Sequence, residues 1–143
     1  MLTDDVRQTL IARARAARDW AYAPYSNYHV GAALLAASGR IYDGVNVENA
    51  VYPAGICAER TALVKAVSEG ERQFDAIAIA TQNGGSPCGV CRQMLSEFGL
   101  DLDVIVVDGE GALIYETTLR DLLPRVFGAA DLVQDKRRMT NGG

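Results

Sequence analysis

Apolar residues recur at helical spacing at the start of the chain and at strand spacing soon afterwards. Val6, Leu10, Ala14, Ala17 and Ala21 mark one face of a helix that must end before Pro24. Thr3 is placed to cap it, and Asp4 and Asp5 suit its electropositive first turn. A tyrosine-rich loop, Ala23-Pro24-Tyr25-Ser26-Asn27-Tyr28, leads into two apolar stretches, His29 to Ala36 and Ile41 to Val47, that flank Ser38-Gly39 and predict a β-hairpin. From Cys57 to Glu69 the period returns to 3.6 through Ala58, Ala62, Leu63, Ala66 and Val67, with Gly70 as the stop. Charges are so few there that the helix is expected to be covered by protein on most sides. Ile77 to Thr81 predicts a short buried strand. Cys91, Met94, Leu95 and Phe98 then predict an amphipathic helix ending at Gly99.

Val104 to Val107 and Leu113 to Thr117 predict two more strands, and Thr118 to Leu123 a last helical turn before Pro124. The link from Asp108 to Ala112 is too short for a crossover, so these last two strands should be antiparallel, while the strand–helix–strand unit before them should be parallel. A mixed sheet in an α/β domain follows. The expected extent of that domain is 1–133, with 134–143 as a polar, disordered tail.

Composition narrows the function classes. A chain of 143 residues, 49% hydrophobic and 22% charged, is long enough for one core and has ordinary globular proportions. No apolar run approaches the roughly 20 residues of a membrane span, and Met1-Leu2-Thr3-Asp4-Asp5 lacks the basic start of an export signal, so no membrane partner and a cytoplasmic location are expected. A net charge of −4 argues against a grip on polynucleotide backbone and favours a small-molecule substrate. Arg13, Arg15 and Arg18, like Lys136-Arg137-Arg138, read as solvated charge.

The three cysteines are an odd number in such a chain, which favours metal binding or catalysis over disulfides. Cys57 and the Cys88/Cys91 pair both fall where a helix is predicted to begin, and helix N-termini stabilise thiolates. Three thiolates bind zinc yet leave one tetrahedral position for water, which distinguishes a catalytic ion from a closed structural one. Glu59, two residues after Cys57, is placed to shuttle the proton that an acidified water gives up. Three thiolates also outweigh the charge of Zn²⁺, and Arg60 could offset this by hydrogen bonding to ligand sulfur. Cys57-Ala58-Glu59 and Pro87-Cys88-Gly89-Val90-Cys91, 31 residues apart, match the zinc deaminase signature in its three-cysteine form.

The chain resembles the small, homotetrameric, zinc-dependent cytidine deaminases from near Ala21 to Leu132. The matching segments are Tyr22 to Ser26, Val30 to Ala33, Gly44 to Ala50, Tyr52 to Ala62 and Pro87 to Gln93. The resemblance implies a three-layer α-β-α fold on a mixed five-stranded sheet, one Zn²⁺ per subunit, and hydrolytic deamination of cytidine or deoxycytidine in pyrimidine nucleoside salvage. It also implies that Asn46 and Glu48 hold the ribose hydroxyls, a role that suits a paired amide and carboxylate. The backbone at Ala58 and near Ser86 would contact the pyrimidine edge. Tyr28 stands where that family usually carries Phe beside the nucleoside. Tyr52 and Phe127 correspond to residues that reach toward a neighbouring subunit's pocket, implying active sites shared within a homotetramer.

Other readings remain at this level. His29 could complete a structural zinc site, and Asn46 and Glu48 could be ordinary strand-end polar residues. Tyr22, Tyr25, Tyr28 and Tyr52 could serve core or interface as readily as a ligand. Deamination of another heterocycle, polynucleotide editing and a zinc-stabilised interaction module are the rival functions.

Overall fold

The computed structural model describes residues 2–132. Helix α1 (Asp4–Arg18) begins where its cap predicts, with Thr3 Oγ1 accepting the Val6 N–H at 3.3 Å. The hairpin follows as β1 (Gly31–Ala36) and β2 (Ile41–Val45). A 3₁₀ turn at Tyr52–Ala54, not anticipated from the sequence, precedes α2 (Ala58–Ser68). Next come β3 (Phe74–Ala80), α3 (Gly89–Ser96), β4 (Asp103–Val107), β5 (Leu113–Thr118) and the short helices α4 (Leu119–Leu122) and α5 (Ala129–Leu132).

The sheet runs β2-β1-β3-β4-β5. Only β3 and β4 pair in parallel, joined by the crossover through α3; the other three pairings are antiparallel, and short links join β1 to β2 and β4 to β5. Alternating side chains divide the interior in two. Ala33, Ala76, Ala78, Ala80, Ile105 and Val107 face α1, which covers them with Leu10, Ile11 and Ala14. Leu34, Ile77, Ile79, Val104 and Val106 face the other way, onto Ala58, Ala62, Leu63 and Ala66 of α2 and Leu95 of α3. The three-layer α-β-α arrangement is therefore present.

Two glycines set how closely the layers approach. A Cβ on Gly31 would lie 2.0 Å from the Ala14 carbonyl oxygen, and one on Gly44 would lie 2.4 Å from the Ala58 oxygen and the Ala62 nitrogen. Gly31 thus lets α1 onto β1, and Gly44 lets the start of α2 onto β2. The second contact fixes where Cys57 emerges.

Several boundaries differ from the hydrophobic pattern. β1 starts after His29 and β2 stops before Val47 because the Asn46 side chain replaces the ladder there: its Oδ1 accepts the Val30 N–H at 2.9 Å and its Nδ2 donates to the Tyr28 carbonyl at 2.7 Å. Val47 instead bridges to Tyr22 and Ile56. β3 begins earlier than Ile77, since Phe74 and Ala76 pair with Ala36 and Leu35. The arginines of α1 do more than meet solvent. Arg13 pairs with Asp43 at 2.9 Å, Arg15 reaches the Gly109 carbonyl at 3.3 Å, and Arg18 Nε donates to the His29 carbonyl at 3.0 Å.

Helix α2 is covered by its own chain on most sides, with Val64, Lys65 and Ser68 exposed along one stripe. No helix among the described residues is long and apolar enough to cross a membrane. The tail at 134–143, with Lys136-Arg137-Arg138, lies outside the described residues.

Candidate active site

Two helix N-termini meet at one end of a cavity of about 460 Å³. Cys57 is the N-cap of α2 and Cys88 the N-cap of α3, both with extended backbone, so each sulfur leaves its helix at the end that carries positive partial charge. Cys91 follows one turn into α3 and is buried. The sulfurs of Cys57 and Cys88 stand 3.8 Å apart, those of Cys88 and Cys91 3.3 Å, and all three lie within 4.8 Å of one another. Two thiolates on one tetrahedral zinc, each at about 2.3 Å, would be about 3.8 Å apart, so the cradle fits that ion.

The protonation chemistry points the same way. Cys57 is held down to about 5, first by a hydrogen bond from Cys91, while Cys91 is pushed up by that same bond and then by burial. Both shifts arise from the close approach of the sulfurs, and a divalent cation bound among them replaces thiol protons. Arg60 Nη2 donates to Cys57 Sγ at 3.6 Å, and this contact raises the guanidinium above its ordinary value. Arg60 Nε, by contrast, is buried with no hydrogen-bond partner. No other His, Cys, Asp or Glu joins the three sulfurs among the described residues, and His29 is not part of the group. A tetrahedral ion held by this donor set keeps one position for a small ligand.

Glu59 lies in the first turn of α2, lines the cavity, and is only 4% exposed. Burial pushes its carboxyl above the usual carboxylate range, with the Cys57 charge adding to the effect. A carboxyl so placed takes up a proton more readily than an exposed one and can pass it to a neighbour, the property a proton shuttle needs.

The far end of the cavity is built from loops. Tyr28, Asn46, Glu48, Tyr52 and Ser86 all line it. Glu48 Oε1 accepts the N–H groups of Tyr25 and Ser26 at 2.9 and 3.1 Å, and Oε2 accepts the Ser26 hydroxyl. These donors, the Ser26 hydroxyl first, hold the Glu48 carboxyl below its ordinary value. Glu48 therefore stays ionised and rigidly aimed, with acceptor capacity left on Oε2. Asn46 is more constrained than its sequence position indicates, since both ends of its amide already bind the Tyr28–Val30 segment. Each end retains one further hydrogen-bonding site.

The remaining candidates divide. Ser86 Oγ is 2.9 Å from the Tyr115 hydroxyl, a partner on β5 that sequence reading missed, as it missed Ser26, Thr81 and Asn83. Alternation along Leu113 to Thr118 could have put Tyr115 on the inner face. Ala58 is wholly buried and does not line the cavity, and its carbonyl oxygen lies against Gly44. Phe127 is 58% exposed and does not reach the cavity of its own chain, where its carbonyl accepts from Gln93 Nε2 at 2.9 Å. Tyr52 meets Tyr25 edge to face at 6.0 Å.

A trio of thiols at two convergent helix starts, next to a buried carboxyl on an α-β-α sheet, defines a zinc-dependent hydrolase. Residues 4–107 match the family described as "Cytidine and deoxycytidylate deaminase zinc-binding region", and the chain belongs to that family. It is 48% identical over 128 residues to the cytidine deaminase of Sporosarcina psychrophila, spanning 87% of this chain and 93% of that protein. It is 47% identical over 129 residues to the cytidine deaminase of Halalkalibacterium halodurans, spanning 88% and 97%. The crystal structure of cytidine deaminase from Burkholderia pseudomallei aligns with a TM-score of 0.80 at 45% identity, over 88% of this chain and all, 100%, of that one.

Proposed function

We propose that the protein hydrolyses the exocyclic amino group of cytidine and deoxycytidine, giving uridine or deoxyuridine and ammonia in pyrimidine nucleoside salvage. The observation that carries this reading is the single cavity joining a three-sulfur cradle and a buried Glu59 at one end to an ionised, rigidly held Glu48 at the other. Cys57, Cys88 and Cys91 would hold one Zn²⁺, whose chemistry when bound is to act as a Lewis acid that brings the pKa of water to about 7.

The chain's own groups account for the rest. Glu59 takes a proton from the attacking water, passes it to the pyrimidine N3 as C4 becomes tetrahedral, and delivers a proton to the departing amino group. Its raised affinity for a proton suits it to carry one between these atoms. Arg60 draws charge from the Cys57 sulfur. Asn46 and Glu48 receive the sugar hydroxyls, and Tyr28, Tyr52 and Ser86 enclose the nucleoside. An anionic Glu48 at the sugar end also disfavours a phosphorylated substrate.

The exposed aromatics support a homotetramer with shared active sites. Trp20 is 83% exposed and Tyr52 76%, and Phe127 and Val64 on α2 are exposed as well, large apolar side chains of the kind that subunit interfaces bury. Three free thiols fit a reducing, cytoplasmic setting.

The test is to measure zinc per chain, mass by light scattering, and turnover of cytidine, deoxycytidine, cytosine and deoxycytidylate in one preparation. One zinc per chain, four chains, and turnover of the two nucleosides well above the base and the nucleotide are expected. Preference for cytosine or for the nucleotide would overturn the substrate assignment, and absence of turnover in zinc-loaded protein would overturn the reaction.

A further inference from the structure

Resting on the nucleoside reading of this cavity, we propose that Tyr28 is a positioning residue whose hydroxyl, through Asn83, clasps the loop bearing Ser86 to the sugar-binding wall and so sets how tightly the cleft holds its substrate.

Tyr28 is anchored on both sides of the cleft. Its N–H donates to Ser26 Oγ at 3.0 Å, and that hydroxyl gives its own proton to Glu48. Its carbonyl accepts from Asn46 Nδ2 at 2.7 Å. The backbone of Tyr28 is therefore fixed to both residues assigned to the sugar. Its side chain runs the other way: the hydroxyl donates to Asn83 Oδ1 at 2.8 Å, in the loop that connects β3 to α3.

That loop is shaped to receive the phenol. Thr81 Oγ1, buried at the end of β3, accepts the Gly85 N–H at 2.8 Å and folds the loop back toward the cavity. A Cβ on Gly85 would lie 2.3 Å from the Tyr28 hydroxyl oxygen, so that oxygen occupies the space a side chain would need. On the opposite side, Gly84 has φ +75 and a Cβ there would strike Ile114 at 2.3 Å. The two glycines let the loop lie between Tyr28 and Ile114. Beyond them the loop continues through Ser86 and Pro87 to Cys88, the cap of α3.

The consequence is mechanical. Asn83 is exposed and the Gly84-Gly85 pair is intrinsically pliant, so without the Tyr28 hydroxyl the middle of the loop loses its tie to the Glu48 wall, while Thr81, the Ser86–Tyr115 contact and the Arg92 bond to the Pro87 carbonyl join it to other elements. With it, the Glu48 wall and the Ser86 wall move as one piece. Cys57 and Glu59 on α2 make no part of this connection, so loosening it should weaken capture of the nucleoside more than the chemical step.

The variants Tyr28→Phe, Asn83→Ala and their combination separate the clasp from simple packing, because Phe keeps the ring and removes only the hydroxyl. Loss of one hydrogen bond predicts a KM for cytidine raised about two- to tenfold in each single variant, with kcat falling by less than about twofold and zinc per chain unchanged. The double variant should be no worse than either single one, and Asn83→Asp, which keeps an acceptor, should restore most of the loss. Hydrogen exchange at residues 82–87 should be several-fold faster in Tyr28→Phe, with exchange in α1 and β4 unaltered. Unchanged KM with unchanged exchange in an active enzyme would overturn the clasp, as would additive effects of the two substitutions. If the wild-type chain turns over no nucleoside, the function assignment fails separately, and exchange alone decides the clasp: faster supports it and unchanged overturns it.

Discussion

The sulfur end of the cavity is mounted on helices, whereas the opposite end, around Glu48, is mounted on loops. Cys57, Glu59 and Cys91 sit at or within the first turns of α2 and α3, whose inner faces are wholly buried against the sheet. Ser26, Tyr28, Glu48 and Tyr52 lie outside every strand and α-helix; side-chain bonds to backbone hold the first three, and Tyr52 packs edge to face on Tyr25. Bond-making chemistry needs reacting groups fixed to within tenths of an ångström, which helix starts packed on a sheet supply. Recognition of a flexible nucleoside tolerates, and benefits from, elements of lower local stability that can open and close.

The largest effect should come from breaking the helix-mounted end. Cys57→Ala removes the only sulfur supplied by α2, leaving two ligands on α3 that cannot hold zinc alone at ordinary concentrations. Metal analysis should find zinc per chain near zero and turnover below detection, with the fold retained by circular dichroism. Full zinc occupancy in this variant would contradict the cradle.

A smaller effect of a different kind is expected at the loop end. Glu48→Gln removes a charged acceptor and should raise KM about ten- to a hundredfold, while zinc content stays whole and kcat changes less. The smallest effect is in pH. Because the Ser26 hydroxyl and two N–H groups lower the folded pKa of Glu48 below its unfolded value, their stabilisation is present above the ordinary carboxylate range. It is lost only as pH falls through the lowered value. KM should therefore stay flat down to the usual carboxylate range and rise below it, and Ser26→Ala should move that rise to higher pH.

The same contrast governs how far the chain could be read without coordinates. The sulfur end was legible because its ligands and carboxyl occupy two short contiguous motifs, each at a helix start that apolar period and capping logic already locate. The hairpin, the parallel pairing of β3 with β4 and the antiparallel pairing of β4 with β5 followed from connection length in the same way, whereas that of β1 with β3 did not. The end around Glu48 was legible only as residue types. Asn46 and Glu48 are recognisable by resemblance, but what aims them depends on contacts across the fold, Ser26 to Glu48, Tyr28 to Asn83 and Ser86 to Tyr115. Periodicity carries no trace of such pairs. It also misplaced the ends of β1 and β2, because it has no way to register that one buried amide, Asn46, takes over the hydrogen bonds of two strand ends.

Glu59→Gln is the most direct test of the whole account, since it keeps the shape and burial of the side chain and removes only its ability to carry a proton. Zinc per chain should remain at one and nucleoside binding should persist, while kcat falls at least about a hundred- to ten-thousandfold. Turnover close to wild type with zinc in place would contradict the assignment of Glu59 as proton carrier, and with it the reading of this cavity as a deaminase centre.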